Sequence, residues 1–94
     1  MSTIVQAAAT AFDLKPEQLL ARDRRPAVSR ARKVAMYLAR ELTSQSLPEI
    51  GRGFGGRDHS TVLSAVRSVD AEVHRDPELA MKVESLRKSL VTAR

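Results

Sequence analysis

The chain has no cysteine. That excludes disulfides, thiolate nucleophiles and thiolate metal sites. Tryptophan is absent too, and the aromatics are only Phe12, Tyr37 and Phe54. So few rings argue against a single-strand binder that stacks successive bases on several aromatic faces. No apolar run approaches the roughly 18 residues that would cross a bilayer. The N-terminus lacks a basic stretch followed by an apolar one, so no signal peptide is expected. No segment alternates apolar and polar residues as a half-buried strand would. At 94 residues the length fits one domain spanning 1–94 and is too short for a doubly wound nucleotide-binding domain plus anything else.

What is abundant is positive charge. Sixteen Lys and Arg stand against eleven Asp and Glu, a net charge of +5. Its placement matters more than its size. Residues 22–40 hold Arg22, Arg24, Arg25, Arg30, Arg32, Lys33 and Arg40 against Asp23 alone, which is +6, so the remainder carries −1. A solvated helix usually interleaves both signs. This segment does not, which points to a polyanion-binding stretch.

Helical spacing dominates the apolar pattern. Ile4, Val5, Ala8 and Phe12 share one face of a first helix, with Ser2 or Thr3 as its cap. Pro16 and Glu17 suit the first turn of a short second helix carrying Leu19 and Leu20. Residues 22–27 read as a basic loop. A third helix over about 27–43 carries Ala31, Val34, Ala35, Leu38 and Leu42, with Arg32, Lys33 and Arg40 mostly off that stripe. Ser46-Leu47-Pro48-Glu49 is an S-x-x-E capping box. It predicts a short fourth helix carrying Ile50 and reaching about Phe54, broken by Gly55-Gly56. Asp58 is an N-cap for a fifth helix over about 59–75 with Val62, Val66, Val69 and Val73 inward. Asp76-Pro77-Glu78 starts a sixth, with Leu79, Val83, Leu86 and Leu90 at helical spacing. The expected fold is all-α, six short helices around one small aliphatic core.

A capped helix, a two-glycine turn and a second capped helix over 46–75 have the form of a helix-turn-helix, whose second helix enters the DNA major groove with its first residues on base edges. The second helix opens with Arg57-Asp58-His59-Ser60-Thr61, all able to donate or accept. A helix N-terminus also attracts phosphate through its free N–H groups and its dipole. Gly51-x-Gly53-x-x-Gly56 matches the dinucleotide fingerprint literally, but that fingerprint needs a preceding strand within a βαβ unit. Asp58, His59 and Ser60 are the residue types of a hydrolase triad, yet consecutive helical side chains do not face one another. His59 and His74 are too far apart in sequence for a metal pair on one helix, so no metal site is read.

Ser46-Leu47-Pro48-Glu49-Ile50-Gly51, followed by Phe54-Gly55-Gly56-Arg57-Asp58-His59-Ser60-Thr61-Val62, resembles the signature of the bacterial chromosomal replication initiator (DnaA) family. Arg32-Lys33-Val34-Ala35-Met36-Tyr37-Leu38-Ala39-Arg40-Glu41-Leu42-Thr43 is similar to the preceding helix of that family. The resemblance covers nearly the whole chain and corresponds to the family's C-terminal DNA-binding domain.

The resemblance implies double-stranded DNA as partner, at the short asymmetric element called the DnaA box, one monomer per box, with regulatory proteins as further possible partners. It implies origin binding for the initiation or regulation of chromosome replication, in the bacterial cytoplasm at the nucleoid. A stand-alone transcription or replication regulator is the alternative. Base contacts fall by resemblance on Asp58, His59, Ser60 and Thr61 in the major groove and on Arg24 in the adjacent minor groove. Backbone contacts fall on Arg32, Lys33, Arg40, Leu47, Pro48, Arg57 and Arg67. Full-length members carry an AAA+ ATPase module upstream, where ATP would bind; this chain is expected to need no cofactor and to catalyse nothing. Three departures from the family bear on affinity. Ser60 stands where Thr is frequent and loses a methyl that could meet a thymine methyl. Ser68 stands where Lys is common. Asp23 interrupts the basic loop and is expected to repel phosphate.

In physical terms, Arg and Lys neutralise phosphates and set orientation, while base-edge contacts set sequence. Asp58 suits the amino group of cytosine, and serves equally well as an N-cap. His59 can donate to a base acceptor or touch a thymine methyl. Arg24 suits a narrow A·T-rich minor groove of enhanced negative potential. Charge alone would also allow a protein-interaction module facing an acidic partner, and His59 alone a small hydrolase.

Overall fold

The computed structural model describes residues 2–92 and contains six helices among them. They are α1 (Ser2–Ala11), α2 (Pro16–Leu20), α3 (Pro26–Leu42), α4 (Leu47–Gly53), α5 (His59–Glu72) and α6 (Pro77–Thr92). The all-α expectation holds, and no strand occurs among the described residues.

Local chemistry sets most boundaries. The Ser46 hydroxyl accepts the Glu49 N–H at 3.2 Å while the Glu49 carboxylate accepts the Ser46 N–H at 2.8 Å, the reciprocal capping box read from sequence. Asp58 caps α5 by accepting the Ser60 N–H at 3.2 Å. Asp76 caps α6 through the Glu78 and Leu79 N–H groups. That cap and Pro77 end α5 at Glu72, three residues before its expected end, because residues 73–75 form the turn that lets Asp76 stand ahead of α6. At the other end, α1 already includes Ser2 and Thr3, so neither precedes it as a cap.

The third helix is the hub. α3 packs against all five others. Its Ala31, Val34, Ala35, Met36, Leu38 and Ala39 are buried, and the small alanines allow close helix approach. Around it gather Ile4, Val5, Ala8 and Ala9 of α1, Leu19, Ile50, Phe54, and Val62, Ala65 and Val69 of α5. The last helix lies on α1 and α3, burying Leu79, Val83 and Leu86. Lys82 sits 4.6 Å above the Phe12 ring and ties α6 to the end of α1. Arg87 adds a bidentate pair with Glu41 of α3, at 2.8 and 3.1 Å. Several expected core residues are less buried than the pattern suggests, with Leu42, Val66, Val73 and Leu90 only partly covered against the core. Leu20 is 40% exposed, because the five-residue α2 turns only Leu19 inward. Phe12 is only partly buried, one residue past the end of α1.

Candidate nucleic-acid interface

The α4–turn–α5 unit is shaped by glycine geometry. The Arg57 N–H donates to the Gly51 carbonyl at 2.8 Å, which folds the turn back onto α4. This approach is so close that a Cβ on Gly51 would fall onto the Arg57 carbonyl oxygen. Gly55 adopts φ +79°, and a Cβ there would lie 2.5 Å from the Leu20 carbonyl oxygen. The helix-turn-helix turn therefore rests directly on the end of α2, where the basic loop begins.

Two arginines lock this junction. Arg57 donates one guanidinium nitrogen to the Phe54 carbonyl and Nη2 to the Ala21 carbonyl at 2.7 Å. Arg32 donates Nε to the Leu19 carbonyl at 2.7 Å and Nη2 to the carbonyls of Ala21 and Asp23 at 3.0 and 2.9 Å. Arg32 corrects the sequence reading. The spacing sets it mostly off the apolar stripe, yet it is only 9% exposed. The physical reason is that the end of α2 and the loop after it present carbonyls with no helical partner, and the planar guanidinium fork satisfies several at once. Its Nη1 alone has no bond among the described residues. Burial first, and Arg57's charge second, push the Arg32 guanidinium below its ordinary pKa. For Arg57, burial and then Arg22 act the same way.

The exposed first turn of α5 stands beside this lock. Asp58, His59, Ser60 and Thr61 are all solvent-exposed. The Asp58 carboxylate is spoken for locally. One oxygen accepts the Ser60 N–H, and the other accepts the Ser60 hydroxyl at 3.0 Å. The His59 Nδ1 lies 3.1 Å from the first. Hydrogen bonds from the Ser60 backbone and side chain hold the Asp58 carboxyl below its usual range. The cap role of Asp58 is thus occupied. The Ser60 proton goes to the carboxylate and not to the imidazole, so no serine–histidine nucleophile pair forms.

A cleft between the basic loop and the turn is lined by Arg22, Asp23, Arg24, Arg32, Gly55, Gly56, Arg57 and Thr61. A second, between α3 and α5, is lined by Ser29, Arg32, Lys33, Arg57, Ser60, Thr61 and Ser64. The structure therefore brings Arg24, Arg32, Lys33, Arg57, Ser60 and Thr61 to one surface. Arg24 and Lys33 are exposed and make no hydrogen bond or ion pair among the described residues. Arg67 is exposed two turns along α5, on the face that carries Ser60 and Ser64. Leu47, Pro48 and Arg40 lie apart, where α3 gives way to α4. There the Arg40 Nη1 donates to the Gln45 carbonyl at 3.4 Å.

Ser29 and Ser64 are not singled out by the sequence, and Arg22 enters there only as part of the basic excess. Ser64 carried a signal, since it follows Ser60 by one helical turn. Arg30 was counted in the basic excess, but it is drawn to the acidic junction of α5 and α6, 2.7 Å from Asp76. Among the described residues no group of three or more His, Asp or Glu could hold a metal ion, and no helix is long and apolar enough to cross a membrane.

Comparison with known proteins completes the picture. The family described as the bacterial dnaA protein helix-turn-helix matches residues 1–69. The chromosomal replication initiator protein DnaA of Rhodopseudomonas palustris strain BisA53 is 49% identical over 87 residues, covering 93% of this chain and 18% of the relative. That of Bradyrhizobium sp. strain ORS 278 is 51% identical over the same share of each. A crystal structure of a DNA replication initiation factor superposes with a TM-score of 0.82 at 41% identity, over 94% of this chain and 27% of that one. The chain spans less than a fifth of the length of these curated relatives.

Proposed function

Because the chain belongs to the bacterial DnaA helix-turn-helix family, we propose that it binds duplex DNA sequence-specifically, at elements of the DnaA-box type, in the initiation of chromosome replication or its regulation. The observation that carries this reading is the exposed polar first turn of α5 standing beside a cleft lined by four arginines, Arg22, Arg24, Arg32 and Arg57. Helix α5 enters the major groove by its N-terminus, with His59 and Thr61 as readers and Ser60 beside them. The Asp58 carboxylate accepts from a cytosine amino group with the lone pairs its cap leaves over. Arg24, on the loop fixed to the helix-turn-helix, reaches the neighbouring minor groove.

Phosphates are met by Lys33, Arg40 and Arg67 as side chains, by the α4 first turn at Leu47 and Pro48, and by the guanidinium edges that Arg32 and Arg57 keep free. One monomer occupies one asymmetric element, all residues 1–94 serve this single task, and no cofactor takes part. An electrophoretic mobility shift on a DnaA-box duplex, with a scrambled duplex as competitor, tests the reading. Retention of the shift against the scrambled competitor supports it. Equal displacement by both duplexes refutes it.

A further inference from the structure

We propose that Asp23, the lone acid of the basic segment, is a specificity-determining positioning residue that holds Arg24 in presenting geometry and withdraws Arg25 from phosphate. This rests on the duplex-reading function proposed above. The sequence set Asp23 down as a repulsive interruption. Its bonds describe another part.

One Asp23 carboxylate oxygen accepts the Arg25 backbone N–H and its Nε, each at 3.0 Å. The other accepts Nε at 3.0 Å and Nη2 at 2.5 Å. The Asp23 carbonyl in turn accepts Arg32 Nη2 at 2.9 Å. The residue is thus fixed at both ends, and its side chain is 19% exposed while that of Arg25 is 68% exposed. Arg24 lies between the two tethered residues and is itself unbonded. Pro26 restricts the far side of the turn, with Arg25 at φ −59° and ψ 141°, the extended region a following proline favours.

Two consequences follow from general principles. A reader presented by a prefixed turn loses less conformational freedom on binding, which favours the cognate complex. An arginine whose charge is matched by a bidentate carboxylate contributes less to the sequence-independent attraction of phosphates. Specificity is a difference of affinities, and Asp23 raises it from both sides, by strengthening the cognate contact and weakening the general one.

The test measures binding of the unmodified chain and of Asp23→Ala, Asp23→Asn, Arg24→Ala and Asp23→Ala/Arg24→Ala to a labelled DnaA-box duplex and to a scrambled one, over a salt series. Asp23→Ala should lose about tenfold of the preference for the box, bind the scrambled duplex more tightly, and steepen the salt slope by about one unit. In that background Arg24→Ala should cost little more. Asp23→Asn keeps an acceptor for the Arg25 N–H without the charge. It should keep most of the preference while still binding the scrambled duplex more tightly. Wild-type preference and slope in Asp23→Ala overturn the inference, as does loss of preference in Asp23→Asn as complete as in Asp23→Ala. An unmodified chain that fails to distinguish the two duplexes overturns the function itself, an outcome separate from either.

Discussion

Arg32 and Arg57 share one acceptor. Each donates Nη2 to the carbonyl of Ala21, at 3.0 and 2.7 Å. Two cations on one carbonyl join three pieces of chain: α3, the turn before α5, and the loop that carries Arg24. The elements proposed to read two different grooves are therefore tied to one another through a single carbonyl. The cost is a guanidinium at Arg32 pushed below its ordinary pKa, first by burial and second by the charge of Arg57, and a phosphate in the adjoining cleft would relieve the second of these.

Arg32→Ala should destabilise the fold. It strips the Leu19, Ala21 and Asp23 carbonyls of a charged donor, each such bond being worth about 1.5–3 kcal/mol. A total loss of about 2–4 kcal/mol is expected from urea denaturation, with little recovery in Arg32→Lys, whose single ammonium cannot reproduce the fork. Wild-type stability in Arg32→Ala would show that the lock does not hold the loop.

Lys33→Ala should behave in the opposite way. Its side chain is exposed and unpaired among the described residues. Stability should stay within about 0.5 kcal/mol of wild type. Binding to cognate and scrambled duplexes should weaken alike, and the logarithmic salt slope should fall by about one unit. An unchanged slope removes Lys33 from the phosphate contacts.

Gly55→Ala should lower stability by about 1–3 kcal/mol. The residue would be forced into φ +79° with its methyl 2.5 Å from the Leu20 carbonyl oxygen. Thermal unfolding followed by circular dichroism reads this directly. A neutral result would mean that the turn is free to move off α2.

Stability should also fall in acid. Hydrogen bonds from Arg25 hold Asp23 at about 2. The Leu79 N–H and the Arg30 side chain hold Asp76 below its usual range, and Ser60 does the same for Asp58. A carboxyl whose folded pKa is depressed adds stability that is present above its unfolded value, about 4, and lost as pH falls through the folded one. Urea midpoints should hold steady above about pH 5 and decline between about pH 4 and about pH 2. Asp58→Asn/Asp76→Asn should decline less steeply, and identical profiles would exclude these two caps as the acid-sensitive groups.

Much of this was legible because it is local. The Ser46–Glu49 box, the Asp58 and Asp76 caps and the Gly55-Gly56 break depend on partners within about three residues, so residue type and spacing carry the information. The inward turn of Arg32 depends on carbonyls 9 to 14 residues away, and no local pattern encodes those. A trace existed all the same, since Val28, Arg32, Ala35 and Ala39 follow one helical stripe. The pairing of Asp23 is hidden for a related reason. Its sign is legible in the sequence, but the fork of Arg25 that meets it is seen only in the fold. Leu20 looked like core because α2 was granted a full apolar face that five residues do not bury.

The central claim is that the first turn of α5 reads sequence, and His59 stands exposed at its start. The most direct test is the affinity of the wild-type chain and of His59→Ala for a DnaA-box duplex and a scrambled duplex at one fixed salt concentration. The wild type should favour the box by on the order of a thousandfold. His59→Ala should lose about 1–3 kcal/mol on the box and almost nothing on the scrambled duplex. Equal weakening on both duplexes, or a wild type that does not tell them apart, would contradict the account.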